Sequence, residues 1–119
     1  MSRRGEPVCV IGVATQTYRG LDAPEPLTMW ADLIAAAAAD AGGSATGAAK
    51  VLGAIDSLTT TYCQTWQYDD PIARLASELR IEPRHRHYHA IGGTSGQQLV
   101  DLAARRIRAG ESDVVAIAS

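Results

Sequence analysis

At 119 residues the chain is long enough for one domain with a buried core and short for two. Hydrophobic residues at 46% and charged residues at 20% fit an ordinary soluble globular protein, and a net charge of −2 gives no electrostatic case for nucleic acid or an anionic membrane as partner. Cys9 and Cys63 stand far apart without a CxxC spacing, which argues against a disulfide framework or a cysteine zinc site and makes a reducing cytoplasm the expected compartment.

Residues 8–13, Val-Cys-Val-Ile-Gly-Val, form a β-branched run without polar alternation. That pattern predicts a strand buried on both faces of a parallel sheet, with Cys9 buried and inert inside it. Preceded by Arg3 and Arg4, the apolar run from Pro7 to Ala14 is too short to span a membrane, and its β-branched residues and Gly12 make it a poor signal-peptide core. Residues 15–26 make a polar loop, long for a strand-to-helix connection, which favours a functional role. A helix follows over 27–40: Pro26 suits its first position, and Leu27, Trp30, Ala31, Ile34 and Ala38 recur at helical spacing. Asp32 and Asp40 keep this alanine-rich stretch from reading as a membrane span, and Gly42 and Gly43 end it. Residues 44–53 read as a second short helix with Ala48, Val51 and Leu52 inward.

The second strand is expected over 55–62, with threonine at 59, 60 and 61. In the loop 63–70, Trp66 and Tyr68 either line a pocket or cover the core, and the two readings are even. Cys63 lies in this loop and is the thiol with more chance of reactivity, although no neighbour in sequence suggests a lowered pKa. Asp70 caps a helix that opens on Pro71 and carries Ile72, Leu75, Ala76 and Leu79 on its apolar stripe. The third strand runs from Arg84 to Ala90 and sets His85, His87 and His89 on one face against Arg86 and Tyr88. The central helix spans about 95–109, with Leu99, Val100, Ala103 and Ile107 on one face. Arg105, Arg106 and Arg108 complement its C-terminal dipole and read as solvated rather than phosphate-binding, with Glu111 and Asp113 close by. Gly110 stops it, and 114–118 is a fourth apolar strand. The order βαβαβαβ implies an α/β, three-layer fold with a mostly parallel sheet.

The stretch His89-Ala-Ile-Gly-Gly-Thr-Ser-Gly-Gln-Gln-Leu-Val100 joins the third strand to the central helix. Gly92 and Gly93 permit a tight turn and close approach of a ligand to the backbone. The unpaired amides that open the helix can face an anion or a developing oxyanion. Ser95 has no general base beside it in sequence, and capping the helix is its expected task.

In order and spacing, Ile55-Asp56-Ser57, Trp66 and Tyr68 before Pro71, Gly92-Gly93-Thr94-Ser95-Gly96-Gln97, and Gly110-Glu111 followed by Asp113-Val114-Val115 resemble the thiolase superfamily. The likeness is greatest to its actinobacterial acetyl-CoA acetyltransferase and sterol-carrier-thiolase-like branch. It covers nearly all of this chain and the first part of a family member. The chain is therefore expected to be a truncated, partial N-terminal half-domain, 1–119, with predicted strands in the order 3-2-1-4. Acyl-CoA is the implied substrate, with no tightly bound cofactor. Laid over the family motif Cys-x-Ser-Gly, Ser95 and Gly96 match and Gly93 takes the place of the nucleophilic cysteine, so the activated thiolate is absent. Gly92, Gly93, Thr94 and Ser95 remain as an acyl-CoA-facing turn, and His89, nearest to it, keeps a claim to touch a substrate.

The resemblance implies an acyltransferase-related domain of lipid, fatty-acid or sterol metabolism that lacks thiolase activity as this isolated chain. Two alternatives stay open: a non-catalytic dimerisation subunit or degenerate fragment, and a nucleophile-free lyase-type homologue that needs a partner. In the family the third strand pairs with its counterpart in a dimer. The strand from Arg84 to Ala90 therefore reads as a polar edge for homo- or hetero-oligomers, and no metal site is expected there. A second thiolase half or another lipid-metabolism protein is the implied partner for the apolar face of the central helix.

Overall fold

A computed structural model describes residues 7–90 and 92–119; Arg3, Arg4 and Ile91 lie outside them. The described elements are α1 (Pro26–Gly42), α2 (Ala45–Ala54), β1 (Ser57–Thr61), α3 (Pro71–Leu79), β2 (His85–His89), α4 (Ser95–Arg108) and β3 (Val115–Ala118). All three strands run parallel in the order β2-β1-β3, with Ser57 opposite both His85 and Val115. Leu58 and the core of Trp30, Ile34, Ile72, Leu75 and Ala118 lie on the side of α1 and α3. On the other side, Ser57 receives the Arg106 guanidinium from α4. The expected α/β three-layer arrangement with a parallel sheet is what the chain adopts.

Local chemistry sets the helix ends. Pro26 opens α1, and Gly43 closes it in a left-handed turn whose amide donates to the Ala39 carbonyl. The amide of Leu27 in the first turn is served from elsewhere, by the hydroxyl of Tyr68 at 3.1 Å. Ser44 caps α2 through the Gly47 amide, and Asp70 caps α3 through that of Ala73. Leu75 is fully buried on the apolar side of α3.

The predicted first strand is the correction. Residues 8–13 belong to no ladder, and Val10, Ile11 and Val13 are exposed, as is Cys9. The segment is tied to α1 instead. The Val13 amide donates to the Asp40 carboxylate at 2.9 Å, and a Cβ on Gly12 would lie 2.2 Å from the Ala37 carbonyl oxygen. An apolar groove of about 620 Å³ has residues 8–14 and 114–119 among its walls, together with Ala37 of α1 and Ile107 of α4. Strand pairing needs a neighbour at about 4.8 Å, and among the described residues this run pairs with none. The strand order is accordingly corrected: β1 pairs directly with β3, with no strand between them.

Candidate functional site at the carboxyl ends of the strands

Parallel strands bring their carboxyl ends to one rim of the sheet, where open α/β sheets take ligands. Here that rim gathers the loop after β1 with Cys63 and Trp66, the glycine turn after β2, and Ser119 after β3. The hydroxyls of Thr61 and Ser119 meet across it at 3.3 Å.

At the glycine turn, Ser95 donates its hydroxyl to the Gly92 carbonyl at 2.8 Å, and its amide approaches the same oxygen at 3.2 Å. Ser95 thus closes the turn from the first position of α4, which corrects its expected role as the cap. Thr94 holds the cap position and accepts from the Gln98 side chain at 3.3 Å, one turn into the helix. Neither Gly92 nor Gly93 has a positive φ, and a Cβ built on Gly92, Gly93 or Gly96 would meet nothing within 4 Å. The backbone does not demand glycine at these positions. What glycine leaves is open surface at the start of a 14-residue helix.

The three imidazoles share a face of β2, as alternation predicts, and β2 is an edge of the sheet. They are half-buried rather than solvated. His85 bonds the Glu111 carbonyl through Nε2 at 2.9 Å. The other two form a chain: His87 Nε2 lies 2.8 Å from His89 Nδ1, and His89 Nε2 lies 2.7 Å from Gln98 Oε1. Burial, with His89 and Arg106 beside it, holds His87 below the ordinary imidazole range. His89 therefore reaches the start of α4, but through Gln98, which sequence reading had not paired with it.

The even reading of Trp66 and Tyr68 separates in the structure. Tyr68 packs on Trp30 of the core and raises its hydroxyl pKa through burial while holding Leu27. Trp66 stacks on Tyr68 with its ring planes 21° apart and remains 48% exposed at the surface of the loop. The pKa of Cys63 also departs from expectation. Burial alone would raise it, but the Thr65 hydroxyl and the Thr65 and Trp66 amides outweigh that and set the thiol below its usual value. The Cys-x-Thr-Trp order carried that signal, because a loop turning back on itself can aim successive donors at one sulfur.

No protein-family model matches the chain, and no curated protein does. Among solved structures, the chain is similar to a monomeric SCP2-thiolase-like protein type 1 from Mycobacterium smegmatis, with a TM-score of 0.72 and 30% sequence identity. The match covers 90% of this chain and 21% of that one, so this chain spans about a fifth of its neighbour's length. At 30% identity over 90% of this chain, that neighbour supports the thiolase-like superfamily read from the sequence.

Proposed function

We propose that the chain supplies an acyl-CoA-facing surface of a thiolase-like protein of lipid metabolism and forms no acyl-enzyme at position 93. The observation that carries this reading is the exposed Gly92, Gly93, Thr94 and Ser95 turn, which opens α4 at the carboxyl rim of a sheet similar to that of the mycobacterial protein. Amides at a helix start can donate to a thioester carbonyl or a phosphate oxygen. Glycine at 93 offers no atom to receive the acyl group, so a bound thioester would be held and polarised rather than transferred. Gln98 occupies His89 Nε2, which makes His89 a positioning group for the turn rather than a free base. Any acyl transfer or lyase chemistry then draws its reacting groups from a second half or a partner.

The test is calorimetric titration of the chain with acetyl-CoA, followed by intact-mass measurement. Saturable heat and no covalent adduct are expected. No heat at millimolar ligand would remove the acyl-CoA reading, and an adduct lost on Ser95→Ala would overturn the absence of an acyl-enzyme.

A second reading, assembly through β2, is favoured by the position of that strand at the sheet edge, with no partner strand on its outer side among the described residues. Light scattering would report a concentration-dependent dimer that weakens in His87→Asp. A constant monomer mass in both proteins would count against it.

A further inference from the structure

We infer that His87 and His89 form a two-imidazole chelate for a divalent transition-metal ion of the zinc class. Two nitrogens bound to one ion at about 2.0–2.1 Å each lie roughly 2.9–3.4 Å apart for angles between square and tetrahedral. The 2.8 Å separation of His87 Nε2 and His89 Nδ1 is close to that spacing, so an ion needs only a small parting of the rings.

The second layer of bonds fixes which nitrogens carry lone pairs. Gln98 gives its side-chain amino group to the Thr94 hydroxyl, which leaves its oxygen to accept from His89 Nε2. His89 must then carry its proton on Nε2, and its Nδ1 lone pair faces His87. A ligating imidazole held by a carbonyl on its other nitrogen is the usual support for a metal-bound histidine. The proton now bridging the two rings belongs to neutral His87 Nε2; as an ion enters, that proton passes through water to His87 Nδ1, so both imidazoles stay neutral and the two facing lone pairs bind the metal.

The rings sit on one rigid strand, in register with Thr59 and Thr61 of β1, so strand geometry rather than a loop sets their approach. His85, on the same face, is turned to the Glu111 carbonyl and stays outside the chelate. Among the described residues no three His, Cys, Asp or Glu side chains converge, so water completes the coordination. Borderline divalent ions suit such a nitrogen-and-water set better than magnesium or calcium. Arg106 reaches this face from α4 and opposes the added charge.

Zinc chloride titrated calorimetrically into the full chain, with long-range proton–nitrogen NMR of the imidazoles, tests the assignment. The expected result is one ion per chain, with the signals of His87 Nε2 and His89 Nδ1 moving to metal-bound positions. His87→Gln and His89→Gln should each weaken binding at least tenfold, and His85→Gln should leave it unchanged. Gln98→Leu should weaken it by about 10–100-fold without removing a ligand. Circular dichroism of each variant separates lost ligation from lost fold. Zinc affinity unchanged from that of the unsubstituted chain in either the His87 or the His89 variant, or shifts centred on Cys63, would overturn the site. The outcome is independent of acyl-CoA binding, since the titration contains no thioester.

Discussion

Asp56 organises more of the structure than any residue of the glycine turn. Its carboxylate accepts from the Ser112 hydroxyl, the Asp113 amide at 2.8 Å, the Val114 amide at 3.2 Å and Arg84 at 3.4 Å, tying the entry of β1 to that of β3. Burial alone would raise its pKa; the Ser112, Asp113, Val114 and Arg84 donors outweigh that and leave the carboxyl below its ordinary value. A depressed folded-state pKa contributes stability above the unfolded carboxylate range and loses it as the pH falls through the folded value. Asp56→Asn should therefore cost about 1–3 kcal/mol at neutral pH, as expected for hydrogen bonds to a charged group. Urea titrations at neutral and strongly acidic pH check it: the gap between the two proteins should close in acid. Thr60 is the converse case. It is fully buried, and its hydroxyl finds no hydrogen-bond partner among the described residues. Thr60→Val keeps the shape and removes an unpaired polar atom, and should stabilise the protein by about 1–2 kcal/mol. A higher urea midpoint at unchanged slope would confirm it; a lower midpoint would mean the hydroxyl is satisfied in solution. Neither residue stood out in the sequence as a structural centre, because Asp56 draws three of its four partners from more than fifty residues away.

Among the elements, the helices were the most legible. Pro26 and Gly43, Asp70 and Pro71, and the arginines after Leu102 are local signals, and local hydrogen bonds decide where a helix starts and stops. The apolar stripe of α3 was equally readable from spacing, and Leu75 in its middle is fully buried among core residues. Leu75→Ala should cost about 2–5 kcal/mol, the usual range for an emptied core site, with thermal denaturation as the readout. A loss under 1 kcal/mol would mean that α3 packs more loosely than its burial indicates. Strand β2 was readable only in part. Alternation put the histidines on one face, but the bonds from His85 to Glu111 and from His89 to Gln98 join residues on separate elements. Ser95 failed as a cap for the same reason, since the geometry of the turn, not residue type, chose Thr94 for that position.

For the whole molecule, the departure at residues 8–13 has the largest consequence. Val10 is 79% exposed and faces water beside the groove, whereas a central strand would bury it. Val10→Thr should change stability by no more than about 0.5 kcal/mol, as for other exposed positions. A loss of 1 kcal/mol or more on denaturation would return this run to the interior. No described helix is long and apolar enough to cross a membrane, in line with the reading of the alanine-rich stretch. The sequence by itself determined the four described helices, three of the strands, the α/β class and the thiolase-like resemblance, because caps, periodicity and motif order are written in neighbouring residues. Only the tertiary structure decided the strand order, the tie of Asp56 to β3 and the joining of His87, His89, Gln98 and Thr94. Each of these depends on which distant segments come within hydrogen-bonding reach, and a β-branched run carries no record of whether a partner strand will lie beside it.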